Sequence, residues 1–306
     1  MDHTPLICDY GSGFSKVGFV GTEAPLAVFP TIIGKLKHNN LLVGVEEEDC
    51  FIGSEALNNL KQLNLNYPIT RGTITNWDNM EKTTIESGEG MTYIVPIING
   101  YPLQLSTAKL DVAGQDLTVY LLKLLSDSGN LLVSTADREY IRNLKEKHSY
   151  VALDYDMEMS KTAAPSFQKK FQLPDGKEVN LGQEAFMCSE ALFNTSLTGS
   201  TNPGIHMQAQ QSITSCDHSH WKTLFGHIML SGGTGACSGL QFRLQREISK
   251  LVSPDLCVKV ATSPYAKCGA WVGASILCSL PMFKDMWVTS HEYREIGPSV
   301  MCRRNL

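Results

Sequence analysis

The alternation of apolar and polar positions divides the chain into short strands near the amino end and mixed strands and helices after it. Leu6 to Cys8 and Lys16 to Val20 read as two strands around Asp9-Tyr10-Gly11-Ser12-Gly13, where glycine allows a tight hairpin. A similar pattern returns 77 residues on, in Glu86-Ser87-Gly88-Glu89-Gly90. There an acidic residue ends one element, glycines make a turn, and an alternating strand leaves it over Met91 to Ile97. The polar stretch Gly34 to Asp49, ending in Glu46-Glu47-Glu48-Asp49, reads as an exposed loop. Leu117 to Ser126 carries leucines at helical spacing behind Gly114-Gln115-Asp116. Thr135 to Tyr150 reads as a helix capped by Thr135, with Ile141 and Leu144 on one face. Pro174-Asp175-Gly176 is a turn between strand-like runs. Ile228 to Leu230 is a short buried strand entering Ser231-Gly232-Gly233-Thr234-Gly235, and Leu240 to Leu251 an amphipathic helix. This mixture predicts an α/β fold.

Composition narrows the function. The 306 residues carry a net charge of −5, which argues against a nucleic-acid binder acting through bulk charge. With 42% hydrophobic and 19% charged residues the chain is expected to fold as two domains or one large one. The nine cysteines contain no pair three apart and follow no framework spacing, so they are expected to be reduced thiols of the cytosol or nucleus. The start, Met1 to Pro5, is not the charged-then-apolar pattern of a secretory leader. Apolar stretches such as Ala270 to Leu280 are too short to span a bilayer, which needs about 20 residues.

The chemistry gathers in three glycine-rich turns. Each lets main-chain N–H groups approach an anion closely, and such nests bind phosphate oxygens. In the first, Ser12 adds a hydroxyl and Lys16 a positive charge, while Asp9 is placed to hold a metal-bound water. In the second, Glu86 and Glu89 take the acidic positions. In the third, Gly232 and Gly233 allow backbone to lie against a sugar or phosphate near a helix start. Singly, such a string is more often an ordinary turn than a ligand site. No Walker A string, GxGxxG fingerprint, HExxH or GxSxG elbow is present. His218 and His220, two apart, fit no zinc pattern and read as surface residues. Trp77, Trp221, Trp271 and Trp287 read as packing residues.

Longer strings then become recognisable. Leu110-Asp111-Val112-Ala113-Gly114-Gln115-Asp116-Leu117-Thr118, Lys145-Glu146-Lys147 with Tyr150 to Asp154, Leu173-Pro174-Asp175-Gly176, Ser189 to Phe193, Leu230 to Thr234 and Trp271 to Leu277 all resemble actin. So do Asp9 to Gly18 and Asn76 to Lys82, and the match covers nearly the whole chain. Met286 to Thr289 and Gly297 to Val300 are more similar to the testis-type actin-related proteins, the T and M types. The resemblance implies the actin/Hsp70/sugar-kinase (ribonuclease H-like) fold, with two α/β lobes around a nucleotide cleft. Residues 1–105 with 265–306 would form the first lobe, shortened and incomplete, and 106–264 the second. It also implies ATP with Mg2+ as the ligand. Asp9, Gly11, Ser12, Gly13, Phe14 and Lys16 would be the first phosphate loop, and Glu86, Gly88, Glu89 and Gly90 the second. Asp9 and Glu86 would reach the metal through water, with no direct metal ligand. Arg142, Lys145 and Glu146 would flank base and ribose, Gly114 the sugar, Gly232, Gly233 and Thr234 the sugar and α-phosphate, and Lys267 the adenine. Lys35 to Asp49 would be the loop used in filament contacts. A groove for partner helices would use Ile276, Leu277, Leu280 and Met286, with Gly100 facing them. The same apolar residues equally read as core of a helix near Trp271.

The departures are specific. After Lys82 the family has a block of helices and strands, whereas here Thr83-Thr84-Ile85 leads directly into Glu86. The block would contain the strand entering the second loop and the glutamine that positions the attacking water. Glu86 replaces the second-loop aspartate, and Tyr93 replaces a histidine. A skipped exon, a deletion or an incorrect gene model would each give this junction. The expected function is a non-enzymatic, actin-related structural protein of the cytoskeleton and cytoplasm, with the nucleus also open. Its partners would be cytoskeletal or actin-binding proteins, with neither nucleic acid nor a membrane span. The alternatives are a nucleotide-dependent ATPase or phosphotransferase of the same superfamily, and a nuclear subunit of a chromatin complex.

Overall fold

The structure is a computed structural model that describes residues 4–36, 51–52, 63–66, 82–99, 101–129, 135–162, 168–173, 176, 178–263, 265–280, 283 and 287–300. It opens with β1 (Leu6–Tyr10), β2 (Phe14–Phe19) and β3 (Ala27–Pro30), joined as an antiparallel sheet in the order β1-β2-β3. β4 (Ile33–Leu36), β5 (Phe51–Ile52) and β6 (Leu63–Asn66) form a second small antiparallel sheet with β4 in the middle. Of the expected loop from Lys35 to Asp49, Lys35 and Leu36 are thus in strand, and 37–49 lie outside the described residues. Trp77 and 76–81 lie outside them as well.

β7 (Lys82–Ser87), β8 (Thr92–Ile98), β9 (Tyr101–Pro102) and β10 (Ala108–Leu110) lead into helices α1 (Gly114–Asp127), α2 (Thr135–His148) and α3 (Tyr155–Lys161). β11 (Lys169–Gln172) and β12 (Glu178–Leu181) form a hairpin, and α4 (Glu184–Glu190), α5 (Ile205–Thr214) and α6 (His218–Gly226) follow. Then come β13 (Ile228–Ser231), α7 (Leu240–Leu251), β14 (Val260–Thr262), α8 (Gly269–Ser279) and α9 (Ser290–Ile296). The main sheet runs β10-β8-β7-β13-β14, with β9 paired to β8. Its centre is mixed: β7 is antiparallel to β8 and parallel to β13, which is parallel to β14.

One apolar core lies between this sheet and its helices, from Ile85 and Ile94 in the strands through Leu117, Leu121 and Leu125 of α1 to Leu240, Leu244 and Ile248 of α7. In both helices the buried residues recur every fourth position, the stripe that faces a core. Arg243 of α7 is buried beside it. Its guanidinium donates to both Glu190 oxygens at 2.9 and 3.2 Å, to Glu247 at 2.9 Å and to the Ala152 carbonyl at 2.8 Å. It also lies 4.8 Å from the centre of the Phe193 ring.

Two expectations change here. The strand entering the second loop is present: Lys82–Ser87 supplies it, with Thr83, Ile85 and Ser87 buried in alternation between β8 and β13. Only one of those three is strongly apolar, so burial by neighbours rather than local hydrophobicity makes the strand. The strands between 82 and 102, placed by the sequence reading in the lobe 1–105, are hydrogen-bonded into the sheet that contains 108–110, 228–231 and 260–262.

α8 packs on the first sheet. Trp271 is fully buried, donates from Nε1 to the Ile7 carbonyl at 3.3 Å, and lies against Gly18, where a β-carbon would come within 2.6 Å of the ring. Ser275, one turn on, accepts from Gly21 N–H at 3.2 Å. Trp271→Phe removes the bond to Ile7 and leaves a void. It is expected to cost about 1–2 kcal/mol, seen as a lower denaturant midpoint at unchanged slope.

Candidate functional site

The parallel register of β7 and β13 sets Glu86 beside Ser231, so the second and third glycine turns leave the sheet at the same end. Ligand crevices of α/β sheets lie at such carboxyl ends. The turns are bonded to each other. Thr234 and Gly235 N–H both donate to the Ser87 carbonyl at 3.0 Å, and the Thr234 hydroxyl donates to the Gly88 carbonyl at 2.8 Å. The start of α1 closes on the same turn: Gly114 N–H donates to Gly88 O at 3.0 Å and Gln115 N–H to Glu89 O at 2.8 Å. Gly232 N–H donates to the Ala266 carbonyl at 2.7 Å, which holds the chain leading to Lys267 against the third turn. Gly232 has φ +84°, and a β-carbon there would come within 2.2 Å of the Ser87 carbonyl oxygen. Only glycine fits both the backbone and the approach.

The first turn meets this group. Gly11 N–H closes the hairpin on Phe14 O at 3.1 Å, and Asp9 stands directly across from Lys16, giving an ion pair of 2.9 Å. A β-carbon on Gly13 would sit 3.1 Å from Cβ of Glu89, so the first and second turns are in contact. Glu86 faces Asp9 and Lys16. Burial raises its carboxyl above the ordinary value, the Asp9 charge raises it further, and Lys16 pulls it back. Two carboxylates and one ammonium therefore share one pocket of charge.

α2 supplies the other wall. Arg142 lies with its guanidinium 5.1 Å from the centre of the Phe14 ring and 2.7 Å from the Glu139 carboxylate, almost wholly buried. Lys145, one turn on, donates to the Gly114 carbonyl at 2.5 Å and lies 3.8 Å from the Glu89 carboxylate. Glu146 and Lys267 are exposed. Tyr93 pairs across from Glu86, and its ring lies 5.4 Å below the Lys109 ammonium. Cys237, just past the third turn, is pushed up to about 11 by burial and is a neutral thiol.

The structure thus brings Asp9, Gly13, Phe14, Lys16, Glu86, Gly88, Glu89, Gly114, Arg142, Lys145, Gly232 and Thr234 into one contiguous group. Ser12, Gly90 and Gly233 sit in its turns. The role of Phe14 as a platform for Arg142, and that of Ser87 as the double acceptor joining two turns, were not visible in the sequence. The only signal for Ser87 was its place between an acidic residue and a glycine.

The donors of the group suit an anionic, acceptor-rich ligand such as a polyphosphate. Gly13 and Gly90 are buried, and their N–H groups donate to nothing among the described residues. Arg142 Nε is a buried donor with no hydrogen-bond partner among them. Such orphaned donors ask for an acceptor-rich ligand. A dication between Asp9 and Glu86 would relieve the repulsion that raises Glu86. Among the described residues no cluster of three His, Cys, Asp or Glu side chains forms a direct metal site. His218 is exposed, its ring centre 4.6 Å from that of Trp221 with the planes tilted by 52°.

The partner groove is only partly described. Gly100 and Met286 lie outside the described residues. Ile276 on α8 is 52% exposed and Leu280, the extended residue that follows the helix, is 49% exposed, while Leu277 is half-buried. The reading of Ile276 and Leu280 as helix core is thereby corrected: α8 buries Trp271 and Ser275, while Ile276 and the Leu280 that follows the helix are each about half exposed. The described cysteines, Cys8, Cys188, Cys216, Cys237, Cys257, Cys268 and Cys278, are free thiols. Among the described residues no helix is long and apolar enough to cross a membrane.

The actin family model matches residues 1–84 and again 82–305, two stretches that meet at 82–84 and together cover nearly all of the 306 residues. The chain belongs to the actin family.

Proposed function

We propose that this chain is a structural, non-catalytic member of the actin family that keeps a binding site for ATP with Mg2+. The observation that carries the reading is the mutual bonding of the three glycine turns around buried, unspent N–H groups, with Asp9, Lys16 and Glu86 gathered beside them. In this reading Gly11 to Phe14 and Gly88 to Gly90 would hold phosphate oxygens, and Asp9 and Glu86 would reach the cation through water. Arg142, Lys145 and Glu146 would flank the base and ribose, Gly114 would lie near the sugar, Gly232 to Thr234 near the sugar and α-phosphate, and Lys267 near the adenine. When bound, the cation would neutralise charge on the phosphates. Two lobes would enclose the cleft, the β1–β3 sheet with α8 in one and the main sheet in the other.

Non-catalysis rests on what surrounds that site. Hydrolysis needs an oriented water. The block expected to supply the water-positioning glutamine is missing after Lys82, a reading supported by the two family matches meeting at 82–84. Tyr93, with its ring under Lys109, offers no imidazole relay. Cytoskeletal partners reaching the exposed Ile276 and Leu280, a cytoplasmic or cytoskeletal location with the nucleus also possible, and a testis-type relationship complete the proposal.

Thermal unfolding with and without Mg2+ and ATP tests the binding. A ligand at a hundredfold excess over its Kd stabilises the native state by about 2.7 kcal/mol, so a clear rise in Tm is expected. An unchanged Tm at saturating ATP sinks the binding site. Glu86→Gln sharpens the result. Because its folded pKa is raised, Glu86 contributes least where it is ionised, and ligand-free stability falls as pH climbs through that raised value. The glutamine variant is therefore expected to melt a few degrees higher than the parent at neutral pH without ligand, and to lose the Mg2+-dependent part of the ATP shift.

The second reading, an ATPase or phosphotransferase, is favoured by one observation: the raised carboxyl of Glu86 is the kind of group tuned towards general-base work. Phosphate release from Mg2+ and ATP that disappears in Glu86→Gln would establish it. No turnover above a denatured control is the outcome expected here.

A further inference from the structure

We propose that the open edge of the first sheet is a self-association surface, on which β1 pairs antiparallel with β1 of a second copy about Cys8. This stands independently of the nucleotide reading. β1 is the outer strand of the order β1-β2-β3. The bonds Val20 N–H to Pro5 O and Gly11 N–H to Phe14 O fix the ladder phase: residues 5, 7, 9 and 11 face β2. Leu6, Cys8 and Tyr10 therefore turn their N–H and C=O groups outward, and among the described residues nothing receives them. Proteins usually blunt such an edge with charge, proline or a bulge, because it templates another strand. Here the outward residues are uncharged.

The side chains add a sticky face. Leu6 and Tyr10 are each 56% exposed, Phe19, directly across from Leu6, is 45% exposed, and Cys8 is exposed between them. The opposite face of the sheet is covered by Trp271, so only this one is open.

A second copy is the occupant that matches. A strand of five residues centred on Cys8 is self-complementary under a two-fold axis. Leu6 meets Tyr10 of the partner subunit, and Cys8 meets Cys8 of the partner subunit, each as a hydrogen-bonded pair. Charge permits it: the only charged side chain of β1, Asp9, is on the other face and held 2.9 Å from Lys16 of its own chain. Area sets its strength. Three half-exposed apolar side chains amount to roughly 300 Å² per copy, below the ~800 Å² per partner of a standard interface. The dimer is therefore weak and concentration-dependent.

Geometry also offers a trap. Hydrogen-bonded antiparallel pairs hold Cα atoms about 5.5 Å apart, within the range a disulfide spans. With diamide as oxidant, the two Cys8 thiols give up two protons and two electrons, one S–S bond forms, and diamide is reduced to its hydrazine.

The experiment is sedimentation velocity of the full chain over a wide concentration series, with peptide mapping after diamide. The expected result is a sedimentation coefficient that rises with concentration and a reducible dimer containing a Cys8–Cys8 peptide. Cys8→Ser should keep the reversible association and lose the covalent dimer. Tyr10→Lys and, separately, Leu6→Lys put a charge on the edge at exposed positions and should weaken both by about tenfold or more at an unchanged Tm. A chain that stays monomeric and yields no Cys8–Cys8 peptide overturns the proposal. So does an association that survives both lysine variants, or one that links Cys8 to a different cysteine.

Discussion

Gly232→Val is expected to remove a large part of the native stability and the proposed nucleotide response. Two costs add at one position. A β-branched residue at φ +84° is strained by about 1–2 kcal/mol, and the β-carbon would be driven into the Ser87 carbonyl at 2.2 Å, an overpacking worth a further 1–3 kcal/mol. Ser87 O is the acceptor that ties Thr234 and Gly235 to the second turn, so moving it releases both bonds. The sum, about 2–5 kcal/mol, is a large part of the ~5–15 kcal/mol that holds a typical domain together. Gly233 is the control. A β-carbon there meets nothing within 4 Å and the residue is exposed, so Gly233→Ala should leave the melting temperature nearly unchanged. If the backbone at Gly233 lies against a nucleotide, the same variant lowers ATP affinity without touching stability. Chemical denaturation and nucleotide titration of the two variants side by side separate a loop that shapes the fold from one that also touches ligand. Equal stability loss in both would refute this account of the third turn.

Arg243→Met is expected to destabilise the chain by about 3–5 kcal/mol, because it leaves Glu190 charged without its partner in a largely buried place. The Ala152 carbonyl and the Phe193 ring lose their contacts as well. Glu190 supplies a signature that a simple cavity would not. Burial already raises its carboxyl, with Arg243 the main force pulling it down. Without that arginine the folded-state value rises further. A raised carboxylate contributes its stability below the unfolded value and loses it as pH climbs through the folded one. The variant should therefore recover part of its loss as pH is lowered from neutral towards the ordinary carboxylate range, while the parent does so less. Adding Glu190→Gln to Arg243→Met should restore part of the stability at neutral pH. Urea midpoints of the parent, both singles and the double variant at several pH values give the coupling directly. A loss independent of pH, or a double variant worse than the arginine variant alone, would contradict the assignment.

Sequence legibility followed the range of the interactions. The first hairpin, the helix at Leu240–Leu251 and the strand at Ile228 were readable because each announces itself within a few residues, through alternation, turn glycines or a four-residue stripe. The start of α1 fell three residues earlier than its leucine spacing indicated. The first-turn N–H groups of Gly114 and Gln115 are satisfied by carbonyls of the second turn, which local spacing cannot display. β7 was read as a bare junction because Lys82–Ser87 is mostly polar. Its burial comes from β8 on one side and β13 on the other. The glycine turns were legible as candidates, and their family resemblance assembled them. The stacking of Arg142 on Phe14, 128 residues apart, and the pairing of Arg243 with Glu190 depended on tertiary closure.

The pairing of β7 with β13 also sets a timetable for the chain's birth. Ser87 leaves the ribosome about 140 residues before Ser231, a delay of roughly 7–30 s at ordinary elongation rates. Until then β7, β8, β9 and β10 form only the antiparallel part of the main sheet, with the β7 edge open and its core hydrophobics uncovered. Such late, long-range closure slows folding and leaves the nascent protein dependent on being shielded while it waits.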